Sequence, residues 1–317
     1  MSDTLPPVNI LGVGAVTPMG RDLEAIARSC DACVASLVEV SSTASQLQQI
    51  LRVNDDLLIN PATANQLRRA DRFTRMAVIA ATDAWNAAKE CCIGITPERI
   101  GLIVTSGFGP HCRGFKFLDG ILDSGDTAAS PTDFSHSVHG AAAAYISRIL
   151  DIRGPALNIT DFEIGFEEAI QIAQCWLKEK ACDRILIGAV EELGEVYLWC
   201  ANRMLDGLKS VFPGEGALFL MLGPNDIPGV AKVDATASPT AVKLLVVEDP
   251  AILPSMKNTT TITTKMTVSF TNTFGHSSSA GAFGTLGGLL AMNDAIDTAA
   301  IVRTTSEGRT VTLLLEK

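Results

Sequence analysis

Residues 154–171 read GPALNITDFEIGFEEAIQ, and the fold turns on this stretch. Gly154-Pro155 is a turn pair, Ala156 to Thr160 is a short strand, and near Asp161 the chain passes abruptly into an amphipathic helix. Along that helix Phe166, Ala169, Ile170, Ala173 and Leu177 recur three and four apart, giving one apolar stripe suited to packing on a sheet. Such a strand-to-helix elbow is where α/β enzymes present nucleophiles, because helix N–H groups and the macrodipole stabilise negative charge there. This elbow offers Asp161, Phe162 and Glu163, with neither Ser nor Cys. Thr160-x-x-Glu163 has the form of a capping box, each side chain capping the other residue's backbone N–H. A capping role and a catalytic role for Glu163 are both open at this point.

Outward from the elbow, short apolar runs bounded by Gly and Pro alternate with longer helical periodicities, the pattern of an α/β domain with helix-covered sheets. Strands are expected at 8–13, 100–105, 156–160, 184–190, 216–222, 242–247, 264–270 and 310–315, and helices at about 20–36, 73–90, 138–151, 164–180 and 279–297. The segments 40–60, rich in Ser, Gln and Asp, and 223–262, with its Thr-rich NTTTITT run, have the least regular composition. The second divides a long N-terminal half, 1–225, from a short C-terminal one, 226–317. No repeat is visible by inspection.

The 317 residues are 47% hydrophobic and 19% charged, more apolar side chain than a thin surface layer uses, so a large core and an apolar partner interface are expected. A formal net charge of −10 with scattered Lys and Arg argues against a nucleic-acid partner. No apolar run reaches membrane-spanning length, and the start MSDTLPPVN lacks the pattern of a signal peptide, so a cytoplasmic protein with reduced thiols is expected. Cys30 and Cys33 form a C-x-x-C without a second pair at zinc spacing, and His111, His136 and His139 show no metal spacing with each other or with a carboxylate pair. No cofactor or metal is expected. In GVGAVTPMG, Gly12 and Gly14 follow a strand, but Thr17 stands where a third phosphate-loop glycine would be and Pro18 removes an N–H. A tight loop is the better reading. His276, between Gly275 and Ser277 at a helix start, reads either as a site residue or as a satisfied polar side chain.

Taken together the segments resemble the β-ketoacyl synthases of the thiolase fold, in order along almost the whole chain. The carriers are GVGAVTPMG (12–20), RADRFTRMAVIAATDA (69–84), RIGLIVTSG (99–107), SPTDFSHSVHGAAAAYISRILDIRGPALNI (130–159), GEGALFLMLG (214–223) and TNTFGHSSSAGAFG (271–284). The resemblance implies a layered α/β/α/β/α thiolase-like fold with a shortened C-terminal half. It puts Glu163 at the position of the acyl-accepting cysteine, Thr271 at that of the lysine and His276 at that of the second histidine. No other histidine lies between Gly216 and His276, so the first catalytic histidine is missing, and TTSEGRT (304–310) replaces the glycine-rich gate.

Claisen condensation needs a thiolate to carry the acyl group and polar groups to stabilise charge on the decarboxylating unit. The resemblance therefore implies a non-condensing chain-length factor, similar to those of polyene or aryl polyene systems. Such a subunit pairs with an active ketosynthase in type II polyketide or fatty-acid-like synthesis, served by an acyl carrier protein. It also implies that the segment 131–145 approaches the partner's acyl tunnel with Phe134, His136, Val138, His139 and Tyr145. A malonyl-carrier decarboxylase and a homodimeric scaffold for acyl carriers are the alternatives.

Overall fold

The computed structural model describes residues 5–30, 38–41, 47–59, 61, 63–204, 212–239, 241–247, 263–269, 277, 279–307 and 309–317. In chain order these form β1 (Val8–Val16), α1 (Leu23–Cys30), β2 (Val38–Ser41), β3 (Leu47–Ile50), α2 (Arg72–Ala87), β4 (Ile100–Ser106), α3 (His111–Ser124), α4 (Pro131–Ser137), α5 (Ala141–Leu150), β5 (Ala156–Thr160), α6 (Gly165–Lys178), β6 (Arg184–Glu191), α7 (Glu195–Met204), β7 (Gly216–Gly223), β8 (Ala231–Asp234), β9 (Ala241–Val247), β10 (Thr263–Val268), α8 (Ala280–Ala291), β11 (Thr298–Thr304) and β12 (Thr310–Glu316).

Ten strands form one sheet in the order β10-β9-β11-β12-β8-β1-β7-β6-β4-β5, while β2 and β3 pair separately. The order hides a duplication. In the first half β1, β4, β5, β6 and β7 lie as third, second, fourth, fifth, first, and β8 to β12 repeat that order. The directions repeat too: β4 is parallel to β5 and β6, as β9 is to β10 and β11, and the fifth strand is antiparallel to both neighbours in each half. A short antiparallel pairing of β1 with β8 joins the halves.

The strands β4, β6 and β7 are buried throughout, which explains why they read as continuous apolar runs. On one face of the first sheet, α2 and α5 cover a cluster that includes Phe73, Met76, Ala80, Leu102, Leu186 and Phe219. On the other face, the α6 stripe, Phe166 to Leu177, joins Ile187, Leu220, Phe283, Leu286 and Ile301 in a second cluster that spans both halves. Helices α6 and α8 thus form the central layer. The shortening of the C-terminal half lies in its connections: the first half places α2 in the crossover 17–99, whereas β8 and β9 are linked by 235–240 alone.

Some expected elements change shape. The helix expected over 138–151 is α5, Ala141–Leu150, and a separate short helix, α4, precedes it, with Val138 extended between the two. The helix expected to reach 297 stops at Ala291, where Asn293 accepts the N–H groups of Ala295 and Ile296 and turns the chain into β11. Cys33 and most of the NTTTITT run lie outside the described residues.

Gly12 and Gly14 serve packing. Both lie within β1 against α2, and a Cβ on Gly14 would stand 2.2 Å from the Ala80 carbonyl oxygen and 2.4 Å from the Ala84 nitrogen. The tight loop follows, closed by mutual backbone hydrogen bonds between Thr17 and Gly20. Substituting Gly14→Ala is therefore expected to lower unfolding free energy by about 2–3 kcal/mol in chemical denaturation. Unchanged stability would contradict the close-packing role.

Candidate functional site

The carboxyl ends of the parallel strands β4, β5 and β6 open on one crevice, marked by Ser106, Thr160 and Glu191. In open α/β sheets this is where ligands bind. Thr160 is still in register opposite Ser106, so its backbone remains extended and its Oγ1 faces His139 Nδ1 at 3.3 Å. The expected capping box is therefore not formed. Asp161 Oδ1 instead accepts the N–H groups of Glu163 at 2.8 Å and Ile164 at 2.6 Å, and α6 begins only at Gly165.

Glu163 is half-buried and held from the C-terminal half. Its carbonyl accepts a hydrogen bond from Arg303, and its Oε1 accepts the Ser306 N–H at 2.7 Å. Ser306 belongs to the TTSEGRT turn between β11 and β12, so that turn closes on the elbow. Arg303 is buried and also lies 3.9 Å from the Glu167 carboxylate, at the start of α6. Phe162 points outward and meets Phe108 edge-on, centroids 5.0 Å apart. Phe108 makes the same type of contact with Tyr197 and His111.

Behind the elbow stand three buried carboxylates that the sequence reading did not single out. Glu191 accepts from Ser106 Oγ at 3.0 Å and from the Gly107 N–H. Glu215 accepts from the backbone N–H groups of Val53 and Leu193, each at 3.0 Å, and pairs with Arg72 at 2.5 Å. Glu192 accepts the Cys112 N–H at 3.1 Å. Burial, and next the charge of Asp71, push the Glu192 carboxyl up to about 7.

His111 is buried, which lowers its basicity, and its Nδ1 lies 3.2 Å from the Gly109 carbonyl. Cys112 is exposed as a residue, yet its Sγ is 3.8 Å from both His111 Nε2 and the Leu193 carbonyl. Desolvation there, reinforced by Glu192, holds the thiol well above the ordinary thiol range. Burial likewise raises the Cys182 thiol to about 11. Neither is an activated nucleophile. Sequence spacing showed no metal set, but the fold brings His111 and Cys112 to Glu192, one ligating atom of each within 4.8 Å of the others. The one local signal was Glu191-Glu192 directly after an expected strand.

The structure separates the five residues of the 131–145 segment. Phe134 and Val138 are exposed, at 56% and 45%. His136 is buried, with Nε2 3.5 Å from the Tyr145 hydroxyl, and Arg148 lies over the Tyr145 ring. These last three line a polar cleft of about 540 Å³ with Arg68 and Arg69. His139 reaches Thr160 at the elbow. Thr271 and His276 lie outside the described residues. No helix among the described residues is long and apolar enough to cross a membrane.

Comparison with known proteins adds relatives to this geometry. The family model described as the β-ketoacyl synthase N-terminal domain matches residues 44–227. Among curated proteins, 3-oxoacyl-[acyl-carrier-protein] synthase 2 of Coxiella burnetii is 25% identical over 157 residues, 48% of this chain and 37% of the relative. Nodulation protein E of Rhizobium leguminosarum bv. trifolii is 30% identical over 168 residues, 48% of this chain and 41% of the relative. The matched region thus spans less than half of each relative's length. Among solved structures, a β-ketoacyl synthase from Burkholderia phymatum superposes with a TM-score of 0.77 at 14% identity, and the ishigamide ketosynthase/chain length factor with 0.75 at 14%. A type II polyketide ketosynthase complex with its acyl-carrier protein, AntDE:AntF, gives 0.75 at 18%. Each superposition covers 98% of this chain and 99% of the other. These are thiolase-fold proteins, and this chain shares their fold.

The revised capping has a direct test. Asp161→Ala removes the acceptor of two N–H groups and is expected to cost about 1–2 kcal/mol in denaturant unfolding, whereas Thr160→Ala costs under about 0.5 kcal/mol. The reverse order would restore the capping box.

Proposed function

The chain belongs to the β-ketoacyl synthase family, matching its N-terminal domain, and on that premise we propose that it is a non-condensing subunit that pairs with an active β-ketoacyl synthase. The observation that carries the reading is Glu163. The family resemblance puts it at the acyl-accepting cysteine, and its carboxylate accepts the Ser306 N–H while its carbonyl accepts from Arg303. A carboxylate cannot serve as the thiol that Claisen condensation requires. Cys112 does not replace it, because desolvation and neighbouring carboxylates hold its thiol protonated.

Surface features support a protein partner. Strand β5 ends the sheet, with Ala156, Asn158 and Thr160 exposed along it, so its outer edge is available for pairing. Helices α3 and α4 and the extended residue after α4 expose Phe115, Leu118, Leu122, Phe134 and Val138, apolar side chains for a protein partner to cover. The partner in this reading is the active ketosynthase of a type II polyketide or fatty-acid-like system, its substrates arriving on an acyl carrier protein. Phe134 and Val138, the two exposed large side chains of 131–145, would then shape the end of the partner's acyl tunnel. Thr271 and His276 keep the positions that the resemblance gives them, without a condensing role.

The test is co-expression with the ketosynthase encoded nearest to this chain, followed by mass determination of the purified assembly. A stoichiometric complex is expected. A well-behaved monomer that binds no co-expressed ketosynthase would overturn the reading. The isolated Glu163→Cys variant is expected to form no carbon–carbon bond, since the first histidine and the gate are still missing. Within a stable complex, Phe134→Ala is expected to lengthen the products. Unchanged length for both Phe134→Ala and Val138→Ala would remove the length-shaping role.

A further inference from the structure

We propose that His111, Cys112 and Glu192 bind a divalent transition-metal ion of the zinc class, in the crevice behind the elbow. The inference is independent of the partner reading. One ligating atom from each residue lies within 4.8 Å of the other two, and Cys112 Sγ is 3.8 Å from His111 Nε2. A tetrahedral ion with bonds of about 2.3 Å to sulfur and 2.0 Å to nitrogen holds those two atoms roughly 3.5 Å apart. The pair is therefore within a few tenths of an ångström of the required span.

The imidazole is already oriented. With Nδ1 3.2 Å from the Gly109 carbonyl, the proton belongs on Nδ1 and the Nε2 lone pair faces the thiol, while Glu192 Oε1 lies 3.9 Å from Nδ1 and would turn toward Nε2 to join an ion there. Gly194 lets its backbone pass close to the pair: a Cβ there would collide with both Cys112 Sγ and His111 Nε2, so a larger residue would push them out of reach of a common ion. Cys112 is exposed as a residue and Glu192 is buried, so the trio lies at the boundary between core and surface.

Charge favours a cation. Besides Glu192, the Glu215 and Asp71 carboxylates act on Cys112, and of these Glu215 is paired with Arg72. Asp71 Oδ1 caps α2, while its buried Oδ2 has no hydrogen-bond partner among the described residues. The positive ends of α2 and α3 oppose a cation with about half a charge each, while Asp71 attracts it and Glu192, which burial keeps partly protonated, gives up its proton to an ion that binds it. The rival use of the trio, a Cys–His–Glu relay with Cys112 as acyl acceptor, needs a thiolate among carboxylates and is opposed by the same field. One sulfur, one imidazole and one carboxylate together select zinc-like ions over calcium or magnesium.

The tag-free full chain, reduced and stripped with a chelator, should be titrated with Co²⁺ and then with Zn²⁺, reading absorption. One equivalent of Co²⁺ is expected to give a thiolate-to-metal charge-transfer band with tetrahedral d–d bands, displaced by Zn²⁺. Cys112→Ser should abolish the charge-transfer band and weaken binding at least tenfold, with the circular-dichroism spectrum unchanged. His111→Gln should weaken binding at least tenfold and shift the d–d bands. The Cys30→Ser/Cys33→Ser double variant should bind as the original chain does. The proposal is overturned by absence of stoichiometric binding, by an undiminished band in Cys112→Ser, or by a band that disappears only in the Cys30/Cys33 variant.

Discussion

Glu215, at the entrance to β7, is a fully buried carboxylate on which three other segments converge. It takes the Val53 and Leu193 N–H groups, pairs with the Arg72 guanidinium at the start of α2, and through that arginine is linked to Asp55. Removing either member of such a pair strands a buried charge at a cost of about 3–5 kcal/mol. The anchored backbone sets the crevice walls: Leu193 directly follows Glu192, and Arg72 directly follows Asp71. The positions of the carboxylates behind the elbow thus depend on this one pair.

The elbow itself is tied to the other half of the molecule. Arg303 and Ser306 hold Glu163 by carbonyl and carboxylate, while Phe283 and Leu286 of α8 share a cluster with Phe166 and Ile170 of α6. A duplicated sheet makes this possible, because its central helices come one from each half. In the reading proposed above Glu163 takes the place of the acyl-accepting residue, which in a condensing enzyme must be free to attack a thioester. Here its carboxylate is occupied by a backbone donor, and the geometry suits a fixed structural corner.

Much of the fold was legible because burial on both faces writes a continuous apolar run. The strands at 100–105, 184–190 and 216–222 appeared for that reason, and the α6 stripe appeared because one face meets the second cluster. The strand β8 has four residues, too few to show a pattern, and β11, TAAIVRT, begins directly where the over-extended helix expectation ended at 297 and was not recognised as a strand. The duplication left no sequence trace, since strand order is a property of pairing. The capping box failed at Thr160, whose side chain is committed by ladder register with Ser106. His111, Cys112 and Glu192 were invisible as a group because their proximity is made by the convergence of β4 and β6, far apart in the chain.

The central claim is that this chain carries no acyl group while its partner does. It is tested most directly by intact mass spectrometry of the co-purified complex after incubation with acyl carrier protein loaded as a thioester. The account predicts a mass increase of one acyl group on the partner ketosynthase and none on this chain. A stable acyl adduct on this chain, mapped to Glu163 or Cys112, would contradict it.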